Sequence, residues 1–200
     1  MGNLKICGFK DKVPEDAVVL NTTSRSKDWA RQFSPFLCQG PIELYGLTAH
    51  NVENFFQFGK VYEEHLDKPQ EWLRWRAAGF ADKKPWRYPM SKGRKPLFAY
   101  VNKELGRLGY IDGRKLVYLP AYLQKLDRYC QEPIGRLMKM AEEQDVWLWD
   151  FDGYDSDEPF ETLLNNEKKN LGHAFLVRQY CYDLMRGTDE LLRYRVEKVV

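Results

Sequence analysis

Three segments carry residue types and spacings suited to chemistry. In Val52-Glu53-Asn54-Phe55-Phe56-Gln57-Phe58-Gly59-Lys60, the residues Glu53, Gln57 and Lys60 stand at i, i+4 and i+7. On a helix they share one face. Glu53 falls in the first turn, where the helix dipole favours a negative charge. With Phe55 and Phe56 beside it, this polar row can line a cleft or lie on the surface as a weak ion pair. In Gln144–Tyr154, three carboxylates (Asp145, Asp150, Asp152) alternate with three large aromatics (Trp147, Trp149, Phe151). Aromatics in a loop must pack on the body of the protein or stack on a ligand. Carboxylates held among them are partly desolvated, which suits a general acid or base. In Asn165–Leu176, the basic and amide-rich Lys168-Lys169-Asn170-Leu171-Gly172 leads into an apolar helical run. A helix start of this kind attracts phosphate, and Asn170 is also an ordinary N-cap type.

Composition narrows the classes. The chain has 200 residues, 44% hydrophobic and 30% charged, which suits one globular domain rather than a disordered chain. No apolar run approaches the roughly 20 residues a membrane-spanning helix needs. The start, Met1 to Gly8, reads as no signal peptide, and Ile6 stands where a myristoylation signal wants Ser or Thr. Cys7, Cys38, Cys130 and Cys181 lack metal-ligand spacing, as do His50, His65 and His173. The expectation is a cytoplasmic protein with reduced thiols and no metal or cofactor. The net charge of +2 does not demand nucleic acid, but its distribution is uneven. Residues 74–115 are strongly basic, and 145–161 hold seven acids and no Lys or Arg. Such asymmetry suits a site that holds an anion near carboxylates, or two solvated surfaces.

Helical periodicity and breakers set the elements. A strand is expected at Ala17–Leu20, and a short one near Ile42–Tyr45. Helices are expected from Thr48 or Asn51 through Lys60, from Pro69 to Ala78, from Pro96 to Leu108, and from Leu119 to Cys130. Others follow over Pro133–Glu143, Asn170–Met185 and Thr188–Val196. Residues 82–96 and Trp147–Pro159 read as loops. The fold class expected is mainly α, a compact single domain over 1–200 with a short N-terminal β element.

Taken in order, four blocks resemble the NADAR family, also called the YbiA-like superfamily. Phe33-Ser34-Pro35-Phe36 is similar to its FSNF-type block, and Val52–Lys60 to its SEHYFQAQK block. Asp145–Gly153 is similar to its NDAYWGDG block, and Lys169-Asn170-Leu171-Gly172 to its KNRLG block. The resemblance covers about residues 18–185. Asn54 stands where the family usually has His, and the Arg between Asn and Leu of the last block is missing. The family's Asp falls on Asp145, Asp150 or Asp152, and its Trp in the third block on Trp149. A further family Trp has no Trp counterpart; a register through Lys95-Pro96-Leu97 places Val101 there, and the register we favour, through Arg114-Lys115-Leu116, places Val117 or Tyr118 there.

The resemblance implies a helical fold of the YbiA-like type that hydrolyses an N-glycosidic bond in an ADP-ribosylated or related ribosyl substrate. Known family activities include hydrolysis of a riboflavin-pathway intermediate and removal of ADP-ribose from guanine in DNA. It implies Glu53 as the carboxylate that stabilises the oxocarbenium-like state or orients the ribose. Asp145 or Asp150 would be the second catalytic carboxyl. Phe56, Gln57, Trp149, Tyr118 and Asp152 would line the site. Lys60, Arg114, Lys169, Asn170, Gly172 and the Arg25-Ser26 loop would hold the ligand and its phosphates. The partners implied are an ADP-ribose-like ligand and ADP-ribosylated nucleic acid. Two other classes fit the same residues: a module that binds ADP-ribose or a nucleotide without cleaving it, and a phage-type inhibitor whose acidic loop mimics nucleic acid.

Overall fold

The computed structural model describes residues 3–196. Contacts divide the chain into two compact units. The first holds the described residues through Pro35 together with Leu126–Arg193, and the second holds Phe36–Lys125 with the described residues from Tyr194 on.

A parallel three-stranded sheet organises the first unit. Strand β1 (Leu4–Cys7) and strand β2 (Val18–Asn21) flank a central strand from far along the chain, Val146–Trp149. Leu4, Ile6, Val146, Trp147 and Leu148 are all buried. A strand covered on both faces reads as a continuous apolar run, and Val-Trp-Leu-Trp is one. The expected loop at Trp147–Pro159 is therefore corrected at its start. Four residues between acids show no period, and only pairing with β1 and β2 makes them a strand.

The second unit opens with a hairpin, β3 (Ile42–Leu44) and β4 (Leu47–Ala49). Tyr45 and Gly46 have φ of 54° and 72°, the two left-handed positions that a two-residue hairpin turn requires. Helix α1 (Val52–Gln57) follows, capped by Asn51, whose side chain accepts from the Asn54 N–H at 2.8 Å. Thr48, the other expected cap, lies in β4. The helix ends before Lys60, which begins strand β5 (Lys60–Val61).

Helix α2 (Pro69–Ala81) continues past the expected stop at Gly79. There a Cβ would lie 2.0 Å from the Phe58 ring, so the missing side chain serves packing rather than termination. The helix expected over Pro96–Leu108 is instead strands β6 (Phe98–Tyr100) and β7 (Arg107–Leu108), antiparallel to each other, with β5 on the other side of β6. Asn102 Oδ1 accepts from the Leu105 N–H, and Gly106 takes φ 64°, so Asn102–Gly106 reverses the chain. Helix α3 (Tyr110–Gly113) and a π-helical turn (Arg114–Tyr118) lead into α4 (Leu119–Tyr129).

Helix α5 (Gln131–Glu143) precedes the central strand, β8 (Val146–Trp149). Helices α6 (Phe160–Asn165) and α7 (His173–Arg186) follow. The helix expected from Thr188 to Val196 is only a 3₁₀ turn, Leu192–Tyr194. Gly187 closes α7 at φ 66°, and buried Asp183 takes the Leu191 and Leu192 N–H groups that a continuing helix would spend internally. With 43% helix and 13% strand, the fold is mixed α/β, which corrects the mainly α expectation. No helix among the described residues is long and apolar enough to cross a membrane.

Candidate functional site

In the second unit, α1 and β5 build a hydrogen-bonded row. Gln57 Nε2 donates to Glu53 Oε1 at 2.9 Å, and Lys60 Nζ donates to Gln57 Oε1 at 2.8 Å. The i, i+4, i+7 spacing expected this row on one helix. The helix carries only its first two members, and the turn after Gln57 returns Lys60 to them from a strand. Glu53 is buried, and its first-turn position favours its charge.

Lys60 Nζ also lies 4.1 Å from the centroid of the Phe56 ring. Among the described residues no carboxylate forms an ion pair with it, and its hydrogen bond goes to Gln57. Burial pushes the Lys60 ammonium down to about 8, against the pull of the Glu53 charge. At neutral pH the group is thus a cation from which a proton leaves readily.

Aromatic rings floor this row. Phe56 packs 5.1 Å from Tyr118, and Tyr118 packs 6.0 Å from Tyr122. Tyr118 ends the π-helical turn, which packs on α1. Arg114 begins that turn; it is buried, donates to the Tyr110 hydroxyl at 2.6 Å, and lies over the Tyr110 ring. The structure thus brings together Glu53, Phe56, Gln57, Lys60 and Tyr118, with Arg114 one turn away. Asn54 has a structural task. Its side-chain amide donates toward the carbonyls of Gly79, Asp82 and Lys84, and its oxygen accepts from the Trp86 N–H, which pins the loop after α2.

The Lys60 shift has a consequence for stability. Between about pH 8 and 10.5 the unfolded chain holds a proton on Lys60 that the folded chain has lost. Stability therefore rises with pH across that window. Below it the burial cost is fully present, at about 3 kcal/mol. Urea unfolding of Lys60→Met should show a stabilised fold at pH 7 and no such rise between pH 8 and 10.5. A rise that persists in the variant would assign it to another group.

The first unit gathers a second set at the carboxyl end of its sheet. Asp150 follows β8 directly and is buried. Its Oδ2 lies 3.1 Å from His173 Nδ1 and accepts the Ala174 N–H at 3.1 Å. His173 Nε2 lies 2.9 Å from the Thr22 carbonyl oxygen. Both ring nitrogens face oxygen acceptors, an arrangement that suits a doubly protonated ring. Burial pushes the Asp150 carboxyl up. The His173 charge and the hydrogen bonds from His173, Ala174 and Asp152 outweigh it and hold the carboxyl below its usual value.

Gly172 makes this approach possible. A Cβ there would lie 2.4 Å from Asp150 Oδ2. Its φ of −66° is open to any residue, so the demand is for space alone. Helix α7 starts at His173 rather than Asn170, whose side chain donates to Asp152 Oδ1 at 3.0 Å instead of capping the helix.

The other expected residues fall as follows. Lys169 lies over the Tyr154 ring at 4.1 Å. Trp149 packs edge-on to Phe9 at 4.9 Å, and Phe9 contacts Phe151 at 5.2 Å. Ser26 is buried and accepts the Asp28 N–H on its hydroxyl, beside exposed Arg25, in the loop that follows β2. Asp145 is placed at the opposite end of β8 from Asp150. It accepts the Asn3 N–H at 2.8 Å and pairs with Lys5 at 3.2 Å. The strand between the two carboxyls is about 13 Å long.

Sequence reading missed His173, Thr22 and Phe9. His173 carried one signal, its place directly after the Asn170-Leu171-Gly172 block. Thr22 acts through a backbone carbonyl and Phe9 through exposure, neither of which a residue type reveals. No cluster of three or more His, Cys, Asp or Glu suited to a metal exists among the described residues.

No curated protein and no solved structure matches the chain. One family model does, over residues 3–177. The chain belongs to that family, a family of unknown function designated DUF6939.

Proposed function

We propose that the protein is an N-glycosidase that hydrolyses the bond between a ribosyl carbon and a base nitrogen in an ADP-ribosylated substrate, as the resemblance to the NADAR family implies. The observation that carries this reading is the Glu53–Gln57–Lys60 row beside the Phe56–Tyr118 pair. Breaking the bond leaves an electron-poor ribosyl centre and sends the electron pair to the base nitrogen. The Glu53 carboxylate stabilises that positive charge. Lys60, acidic for an ammonium, gives its proton to the departing base. Water then adds to the ribosyl carbon, and its proton returns to the row through Glu53. Gln57 holds both groups in place, and Phe56 and Tyr118 offer faces for the base. Asp145 has no part in this scheme, since its oxygens bind Asn3 and Lys5. Asp150 serves as the partner of His173.

A second reading is ADP-ribose binding without turnover. It is favoured by the missing family Trp, for which the favoured register offers Val117 or Tyr118. One experiment separates the two: incubation with guanine-ADP-ribosylated single-stranded DNA and, separately, with free ADP-ribose, followed by mass spectrometry and calorimetry. Loss of the ADP-ribose mass from DNA supports the glycosidase. Affinity for ADP-ribose without loss of mass supports the binding module. Neither result removes both readings.

A further inference from the structure

The loop between α2 and β6, residues 82–97, belongs to the second unit and takes no part in the Glu53 row. It carries Lys83, Lys84, Arg87, Lys92, Arg94 and Lys95 against one acid, Asp82. Arg94 is paired with Glu64. Lys83, Lys92 and Lys95 are exposed, and among the described residues no carboxylate forms an ion pair with them. Two large rings stand among these cations. Trp86 is 37% exposed and Tyr88 is 48% exposed. Lys84 Nζ lies over the Trp86 ring at 4.1 Å, and the Arg87 guanidinium lies 5.7 Å from the centre of the Tyr88 ring.

The fold holds Trp86 in place without burying it. Its backbone N–H donates to Oδ1 of buried Asn54 at 2.9 Å, and its indole N–H donates to Asp82 Oδ2 at 2.7 Å. The Asn54 amide also donates to the Asp82 and Lys84 carbonyls, both at 2.9 Å. A large ring left in water costs free energy. A ring already fixed at the surface loses little further freedom when a partner stacks on it.

We propose that this loop binds single-stranded nucleic acid. Bases stack on Trp86 and Tyr88, and Lys83, Lys84, Arg87, Lys92 and Lys95 hold the phosphates. Exposed rings set among cations hold a strand without regard to its sequence, because every base has a face to stack and every nucleotide a phosphate. A duplex keeps its bases stacked on one another and has none to give to the rings. An anionic membrane is bound by a helix with one apolar face. Here each ring lies against a cation in a loop that is not helical. The surface adds a strand-holding site to the proposed glycosidase and uses none of the residues of its row, so either reading can fail alone.

The probe is a fluorescein-labelled, unmodified oligothymidylate of about 16 nucleotides, followed by fluorescence anisotropy with the full chain. It should bind with Kd on the order of 10 μM at about 50 mM salt. Neutralising four phosphates lowers the affinity about fiftyfold between about 50 and 200 mM salt. Replacing Lys83, Lys92 and Lys95 together by Gln should flatten that salt slope by about 2. Trp86→Ala should weaken binding at least about fivefold, and Trp86→Phe should restore most of it, with thermal melts reporting the fold of each variant. Absence of binding at about 50 mM salt, equal affinity for a duplex of the same length, unchanged affinity in Trp86→Ala, or an unchanged salt slope in the triple variant would overturn the proposal. So would protein that sediments with phosphatidylserine vesicles and leaves the strand unbound. Strand binding without release of ADP-ribose from modified DNA keeps this surface and removes the glycosidase. Release without strand binding does the reverse.

Discussion

Glu53→Gln is expected to fold as the parent chain does and to lose about 10²–10⁴ in the rate of ADP-ribose release from modified DNA. The fold should survive because the replacement is isosteric. Gln57 Nε2 still finds an oxygen acceptor at the position it now holds, 2.9 Å away. What disappears is the negative charge, and with it the stabilisation of the developing positive ribosyl centre. A second, coupled effect sets this apart from general damage. The Glu53 charge raises Lys60 against the burial that brings it to about 8. In the parent protein the rate should fall above about pH 8, as Lys60 loses the proton it delivers. In Glu53→Gln the residual rate should fall at a lower pH. Lys60→Arg offers a check on the acid, because a guanidinium keeps the charge but releases no proton in this range. It should retain affinity for ADP-ribose and lose turnover. Activity at the parent level in Glu53→Gln would end the assignment.

The largest effect on stability is expected at the Asp150–His173 pair. Asp150→Asn removes one partner of a buried pair and leaves the other without its counter-charge. Such losses cost about 3–5 kcal/mol. For a chain of this size that lowers Tm by on the order of 10 °C. Gly172→Ala should reach the same pair by another route. Its Cβ would meet Asp150 Oδ2 at 2.4 Å and the Asp152 carbonyl carbon at 3.1 Å, so the buried carboxylate must shift away from the Ala174 N–H it accepts. The pH dependence follows from Asp150, whose folded carboxyl is held below its unfolded value. Its contribution is complete above about pH 4. It is lost as the pH falls through the folded value. Thermal melts of the parent chain and Asp150→Asn should therefore differ fully above about pH 4 and converge in acid. Equal melting at pH 7 would show that the pair holds nothing together.

Some elements were legible in the residues alone. Asn51 followed by apolar spacing marks α1, Pro69 marks the start of α2, and the apolar faces of Leu119–Tyr129 and Gln131–Glu143 mark α4 and α5. The pairing of Glu53 with Gln57 was visible because i, i+4 neighbours on one helix meet without help from the rest of the fold, whereas Lys60 joins them from β5. These features rest on short-range geometry, which the local sequence contains.

Other features needed distant partners. Val146–Trp149 becomes a strand only between Leu4–Cys7 and Val18–Asn21, since a four-residue segment cannot satisfy its own backbone groups. Phe98–Tyr100 is a strand because Lys60–Val61 and Arg107–Leu108 pair with its two edges. Which of the three acids beside Trp149 is buried was likewise undecided until the sheet set the direction of β8. Asp150 falls at the carboxyl end, against His173, and Asp145 at the other end, against Lys5. The sequence by itself determined helices such as α1, α2, α4, α5 and α7 and the Glu53–Gln57 pair, because hydrogen bonds and side-chain neighbours within a turn or two create them. The tertiary structure decided the sheets, the partner of each carboxylate and the space that Gly172 leaves for Asp150, because each depends on atoms brought together from distant parts of the chain.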